Sequence, residues 1–313
     1  MGKSDTLNAI AGPFRMVRGP LGRRRRACAP QEAAFKGGCF EVINADSMQA
    51  YRHMDVGTAK PSEELLSRVT HHLVSFLEPS EQYNAGIFVK RAESLIAGII
   101  GRGNAPVVCG GTAFYIRSLL CGLPESPIGS AEARERLRRR EKEEGGQALY
   151  GELQRLDPEA AAHIQPNDRY RIMRALEILE VSGRSQFSFR WPREIRGDYS
   201  FLVIGLERPR DELYARIEAR VEEMFGNGLI DEVKRLLQMG FGPEDPGMQA
   251  IGYREFFPMR KGCATLADVK EEIKMNSRRF AKRQLTFFRP IPGVRWMSPE
   301  KHEEIAELIR EFM

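Results

Sequence analysis

Two short apolar runs constrain this chain most. Glu41-Val42-Ile43-Asn44-Ala45 ends in the polar turn Asp46-Ser47, and Ala105-Pro106-Val107-Val108-Cys109 ends in Gly110-Gly111-Thr112. Runs of this length, rich in valine and isoleucine, read as buried strands rather than helices. Between them, Asn84 to Ile100 has the length and spacing of a helix, and Gly101-Arg102-Gly103-Asn104 separates it from the second strand. Strand, helix, strand, glycine turn is the signature of an α/β fold, in which ligands sit outside the carboxyl ends of the strands.

Further along, Ser130 to Leu156 is highly charged and helical, and Asp157-Pro158 and Pro166-Asn167-Asp168 mark two further helix starts. That stretch offers no strand. Phe201 to Leu206 reads as a strand again, followed by a helix from Arg210 to Phe225 whose Leu213, Ile217, Val221 and Met224 recur at helical spacing. The expected organisation is therefore an α/β core with C-terminal helices, residues 36–122 and 199–313, interrupted by a helical insertion, 123–198. Residues 1–35 are rich in Gly, Pro and Arg and follow neither a strand nor a helix period, so no structure is assigned to them.

Composition excludes several classes. No run of eighteen apolar residues exists to span a membrane, and the N-terminal arginines do not flank the apolar core of a signal peptide, so a cytoplasmic protein is expected. Five cysteines at wide, irregular spacing suggest neither a disulfide framework nor a zinc site. The net charge of +5 is only mildly basic. Its placement says more: Ile273 to Pro299 holds no acidic residue, while Lys274, Arg278, Arg279, Lys282, Arg283, Arg289 and Arg295 fall within it. Such a segment suits a polyanion.

Asp46 stands at the carboxyl end of a strand, where it can act as a general base or simply cap the next turn. Its surroundings decide. Asp46-Ser47-Met48-Gln49-Ala50-Tyr51 followed by Met54-Asp55-Val56-Gly57-Thr58-Ala59-Lys60-Pro61 resembles the DSMQxY and MDxGTAKP strings of the bacterial tRNA dimethylallyltransferases. Gly110-Gly111-Thr112-Ala113 through Arg117 to Leu123 resembles that family's GGTGLYIRALLxGL, with Ala113 in place of a glycine. If that position required a positive φ, alanine would cost of order 1 kcal/mol.

Three later blocks continue the resemblance in the same order. Leu156-Asp157-Pro158 through Asn167, Asp168, Arg169, Arg171 and Arg174 matches a string that in the family touches tRNA. Arg171 and Arg174 share a helical face, suited to phosphates or, alternatively, to pairing with Glu177 and Glu180. Arg216 to Met224, then Gly228-Leu229-Ile230-Asp231-Glu232-Val233 and Ala250-Ile251-Gly252-Tyr253-Arg254-Glu255, match RIxxRVxxM, GLIDEV and AIGYKE, and Arg278 to Arg289 matches TRxYAKRQxTWFR.

The resemblance implies a P-loop-type parallel sheet core and transfer of a dimethylallyl group from dimethylallyl diphosphate to the exocyclic amine of the adenine next to the anticodon. Asp46, Thr112 and Arg220 would be catalytic, with Arg220 on the diphosphate and Mg²⁺ as cofactor. The tRNA anticodon stem-loop would be held by Asp46, Ser47, Met48, Gln49, Arg117, Arg134, Asn167, Asp168, Arg169, Arg171, Arg174, Gln249, Gly252, Tyr253, Arg278, Lys282, Arg283 and Gln284. A monomer is expected. The rivals are a tRNA-binding remnant without catalysis and a P-loop kinase of a small metabolite.

One block departs. The family opens with a GPTxxGKT-type loop whose amides, lysine and hydroxyl hold the diphosphate and Mg²⁺. Here the corresponding residues run Gly19-Pro20-Leu21-Gly22-Arg23-Arg24-Arg25-Arg26, with Arg25 in the lysine position and Arg26 in the threonine position. Gly19, Pro20, Gly22 and Arg25 are what remains of a diphosphate site. Either the arginines form a divergent loop, or the first 35 or so residues come from another reading frame or start, and the abrupt switch near residue 36 favours the latter.

Overall fold

The structure, a computed structural model, describes residues 14–18, 39–127 and 131–313. In chain order the first half contains β1 (Phe14–Arg18), β2 (Phe40–Asn44), α1 (Glu63–Arg68), β3 (His71–His72), α2 (Ala85–Gly101), β4 (Ala105–Cys109) and α3 (Ala113–Cys121). Next come α4 (Ala131–Glu144), α5 (Gly146–Leu156), α6 (Pro158–His163) and α7 (Arg169–Ser182). The remainder holds β5 (Ser200–Leu206), α8 (Arg210–Gly226), α9 (Leu229–Gln238), α10 (Phe256–Arg260), α11 (Leu266–Phe288), β6 (Val294–Met297) and α12 (His302–Phe312). The chain divides into two compact units, Met1–Cys121 with Glu194–Met313, and Gly122–Arg193.

The first unit is an α/β domain. Its sheet has the order β3-β2-β4-β1-β5-β6. Successive side chains of a strand face opposite ways, and the sheet sorts them accordingly. Ile43, Val108 and Val203 pack under α2 and α3 against Phe88, Ile96, Ile99 and Ile116. Their neighbours Val107, Leu202 and Ile204 pack against Ile305, Leu308 and Ile309 of α12 on the other face. Both faces are covered, which is why these strands read as continuous apolar runs.

β1 falls in the stretch that has no strand or helix period. It lies between β4 and β5 and runs antiparallel to both, whereas the other pairings of the sheet are parallel. Phe14 pairs with Cys109 at the carboxyl end of β4, and Arg18 pairs with Ser200 at the amino end of β5. Arg18 therefore stands at the end of the sheet opposite Asp46. Gly19, Pro20, Gly22 and Arg25 lie outside the described residues.

The second unit is helical. Leu137, Leu149, Leu153, Ala161, Ile164, Ile172 and Leu176 form its core. The charged stretch expected as one helix is two, because Gly145, with φ of 84°, takes a conformation that ends α4. Asp157 caps α6 by accepting the Ala160 N–H at 3.0 Å, and Asp168 caps α7 by accepting that of Arg171 at 3.1 Å. The unit ends at Arg193, earlier than the expected 198. The cause is Arg196, whose N–H donates to the Leu120 carbonyl at 2.9 Å and whose guanidinium holds Glu93 and Asp198. These contacts tie residues 194–199 to the first unit. Among the described residues no helix is long and apolar enough to cross a membrane.

Candidate active site

The loop after β2 is shaped by Asn44. Its Nδ2 donates to the carbonyls of Asp46 and Leu73, each at 3.2 Å, and its Oδ1 accepts the Asp46 N–H at 3.1 Å. The chain turns sharply, and Asp46 Oδ1 accepts the N–H groups of Met48 at 2.9 Å and Gln49 at 3.4 Å. No described residue donates to Oδ2. Burial pushes the Asp46 carboxyl above the usual aspartate range, against the opposing effects of the two N–H groups and the Arg220 charge. One oxygen thus anchors the loop while the other is open to a ligand.

The glycine turn meets this loop because it has no side chains in the way. Thr112 N–H donates to the Ala45 carbonyl at 3.1 Å, and a Cβ on Gly110 would lie 2.3 Å from the Ala45 carbonyl carbon. The Thr112 hydroxyl accepts the Ser47 N–H at 2.9 Å and reaches Ser47 Oγ at 3.2 Å. Ala113 opens α3 and is not among the residues with positive φ, so the penalty considered for it does not arise.

Across from the loop stand α8 and α11. Asp46, Ser47, Met48, Thr112, Arg220, Gln249, Arg283 and Gln284 line one cavity of about 480 Å³. Apolar lining comes from Phe114, Ile217, Val221, Met224, Ile251, Phe280 and Phe287. Arg220 forms no ion pair within 4.0 Å with a described carboxylate; burial lowers its pKa, while Asp46 and Glu223 raise it, and a guanidinium stays charged throughout. A cation and an open carboxylate oxygen in an apolar cavity can bind a phosphate and accept a proton.

Several residues expected to contact a ligand make internal hydrogen bonds that hold the site together. Gln49 Nε2 donates to the carbonyls of Thr58 at 3.3 Å and Ala59 at 3.2 Å. Tyr253 is 0% exposed and donates its hydroxyl to Glu232 at 2.6 Å, so burial removes it from any surface that could touch tRNA directly. Gly252, with φ of 99°, donates its N–H to Glu255. Glu232, which the sequence reading passed over, is a buried hub. It accepts the N–H groups of Asp55 at 2.8 Å, Val56 at 2.9 Å and Gly57 at 3.0 Å besides the Tyr253 hydroxyl. A GLIDEV string on an amphipathic helix was the available signal: Glu232 falls among Leu229, Val233 and Leu236 on the buried face of α9.

The basic segment also needs correction. It has no acid in its own sequence, yet Arg278 pairs with Glu218 of α8 at 2.6 Å, and Lys274 pairs with Glu222 at 2.9 Å. Arg279, Lys282, Arg283 and Arg289 are exposed and pair with no described carboxylate. Arg117 lies with its guanidinium 5.7 Å from the centre of the Phe287 ring.

In the second unit, buried Glu177 takes Arg134 at 2.6 Å and Arg174 at 2.7 Å. Arg169 pairs with Glu141 and Arg171 with Asp168, while Asn167 is exposed. Of the two readings offered for the face of α7, pairing with Glu177 describes the position of Arg174.

The chain is similar to proteins of one known family. The profile of the family described as IPP transferase matches residues 49–290. A tRNA dimethylallyltransferase from Syntrophobacter fumaroxidans is 43% identical over 303 residues, spanning 96% of this chain and 87% of the relative. Among solved structures, the tRNA isopentenylpyrophosphate transferase of Bacillus halodurans superposes with a TM-score of 0.59 at 38% identity, covering 87% of this chain and 88% of the other. A eukaryotic dimethylallyltransferase described as acting on tRNA gives 0.69 at 26% identity, covering 87% and 72%.

Proposed function

We propose, for a chain that belongs to the IPP transferase family, that it transfers a dimethylallyl group from dimethylallyl diphosphate to the exocyclic amine of the adenine 3′-adjacent to the anticodon of tRNA. The observation that carries this reading is the open Oδ2 of Asp46 in one cavity with Thr112 and Arg220. The amine nitrogen forms a bond to the allylic carbon as the bond from that carbon to the diphosphate oxygen breaks. Asp46 Oδ2 takes the proton the amine loses, and Arg220 with the Thr112 hydroxyl holds the departing diphosphate. The apolar walls around Ile217, Val221 and Met224 keep water from the allylic carbon. An adenine reaches such a cavity only by leaving the anticodon-loop stack.

Mg²⁺ fits this donor set as a partner of the substrate. Among the described residues no group of three His, Cys, Asp or Glu could hold a metal. Asp46, Ser47 and Thr112 do offer the hard oxygen ligands that Mg²⁺ shares with substrate phosphates and water. Bound there, the ion would neutralise diphosphate charge. The exposed cations Arg279, Lys282 and Arg283 of α11 would follow the RNA backbone. We place this work in the cytoplasm, by a monomer.

A second reading, tRNA binding without transfer, is favoured by one observation: β1 delivers Arg18 to the end of the sheet away from Asp46. One assay separates the two. The purified chain is incubated with dimethylallyl diphosphate, Mg²⁺ and an anticodon stem-loop RNA, and both RNA binding and prenyl incorporation are followed by mass. Slow but measurable incorporation at the adenine amine, lost in Asp46→Asn, supports transfer. Tight binding with no incorporation supports the second reading.

A further inference from the structure

Arg254 lines the same cavity as Asp46, Thr112 and Arg220, and the reading above gives it no part. Its neighbour Glu255 is buried, with a side chain 1% exposed. Glu255 Oε2 accepts the Gly252 N–H at 2.8 Å, and Oε1 accepts Asn276 Nδ2 at 2.8 Å and Arg254 Nε at 3.1 Å. The carboxylate is thus fixed from two sides, by the glycine turn and by α11, and fixes Arg254 in its turn. Nε is the only guanidinium nitrogen of Arg254 bonded to a described residue, which leaves its two terminal nitrogens for a ligand.

That arrangement differs from those of Arg174 and Arg278, in each of which a terminal nitrogen, Nη1, is taken by a carboxylate, Glu177 and Glu218 respectively. A guanidinium held through Nε by a buried carboxylate keeps its charge and presents a pre-oriented pair of donors, the geometry that suits a phosphate oxygen. The balance of charge points the same way. Three arginines, Arg220, Arg254 and Arg283, line the cavity against one carboxylate, Asp46. The surplus positive charge calls for a polyanion.

We propose that Arg254, oriented by Glu255, is a phosphate-binding residue of this cavity. The proposal rests on the transfer reading for the identity of the phosphate, which is either the diphosphate of the prenyl donor or a backbone phosphate of the RNA. Both sources present the same oxygens.

The test measures binding and not turnover. Inorganic pyrophosphate with Mg²⁺, and separately an anticodon stem-loop RNA over a range of salt, are titrated into the full chain and into Arg254→Gln, Arg254→Lys and Glu255→Gln. Arg254 is 41% exposed, so its variants should melt with the parent. A loss of tenfold or more in pyrophosphate affinity on Arg254→Gln, with RNA unaffected, assigns the residue to the donor. A similar loss for RNA, with the salt dependence reduced by about one counterion, assigns it to the RNA backbone. In either case Arg254→Lys should regain part of the loss, and Glu255→Gln should weaken the same ligand by a smaller factor. If the parent binds and Arg254→Gln matches it within twofold for both ligands, the proposal fails and the transfer reading stands. A parent that binds neither ligand overturns both.

Discussion

Gln284 donates its side-chain N–H to the backbone carbonyl of Gly111 at 2.7 Å, although 173 residues separate them. The bond is buried, and it ties the basic helix α11 to the glycine turn that carries Thr112. A Cβ on Gly111 would lie 2.4 Å from that same Nε2. Glycine is therefore required at this point so that a side chain from the far end of the sequence can close the cavity wall.

The two glycines of the turn should respond differently to alanine. At Gly110 the added carbon meets backbone, Ala45 C at 2.3 Å, which cannot yield without moving β2. Gly110→Ala should cost about 3 kcal/mol or more by chemical denaturation. At Gly111 the clash is with the tip of a flexible side chain, so Gly111→Ala should cost about 1 kcal/mol but release Gln284. Its activity should fall together with that of Gln284→Ala. Equal destabilisation by the two alanines would contradict this account of the turn.

Asp46 sets the acid side of the pH profile. Its carboxyl is raised above the ordinary aspartate value of about 3.9, and transfer needs the deprotonated form. The rate should therefore decline on acidification from a higher pH than an ordinary aspartate would give. Asp46→Asn should remove that limb and lower transfer by roughly 10²–10⁴-fold. A raised folded-state pKa means that this group favours folding below its unfolded pKa and that this stability is lost as pH rises through the folded pKa. At neutral pH Asp46→Asn should thus melt no lower than the parent. A marked fall in melting temperature would show that the carboxylate is structural.

Glu232 carries four donors on one buried carboxylate, three of them backbone N–H groups of the loop Asp55–Gly57. Glu232→Ala leaves all four without a partner and should cost about 3–5 kcal/mol. Tyr253→Phe removes one and should cost about 1 kcal/mol. The double variant in a thermodynamic cycle should be less destabilised than the sum. Strict additivity would mean that the Tyr253 hydroxyl contributes nothing through Glu232.

These hubs show what the sequence could and could not disclose. β2, β4, β5, α2 and α8 were legible because strands buried on both faces and amphipathic helices write their environment into local periodicity. Asp46, Thr112 and Arg220 were legible through their strings, and the fold brings them to one cavity. Tyr253 and Gln49 stand in the same strings, yet support the loops from behind, since a string does not record which way a side chain points. The acidic partner of Arg278 was not legible for a related reason: Glu218 is 60 residues away in sequence and adjacent only in space. Glu232 had no local signal beyond an acid on an apolar helix face.

The corrected charge map of α11 changes the expected salt dependence of RNA binding. Lys282 and Arg283 are exposed and have no acidic partner among the described residues, whereas Arg278 is engaged by Glu218. Neutralising Lys282 and Arg283 together should lower the slope of log affinity against log salt by about two counterions at most. Arg278→Gln should change it less. An unchanged slope in the double variant would show that this face is only solvated.

In a parallel α/β sheet a loop that holds a diphosphate must leave its strand at the carboxyl edge, the edge where Asp46 and Gly110 lie. β1 runs the other way: Phe14 is beside Cys109 and Arg18 is beside Ser200. A strand rises about 3.3 Å per residue, so five residues place its two ends roughly 13 Å apart, with Arg18 at the end away from Asp46. Arginine can grip a phosphate, so the charge of residues 23–26 is no obstacle in itself. The direction of the strand is. Replacing residues 14–35 with a parallel-compatible strand, a GPTxxGKT loop and an amphipathic helix should raise prenyl transfer by orders of magnitude and lower the KM for dimethylallyl diphosphate. RNA affinity, which rests on α11 in this reading, should stay within a few-fold. Should the unaltered chain already turn over at the rate of the repaired one with equal donor affinity, the existing segment completes the site by another route, and β1 in the orientation described here is not its catalytic arrangement.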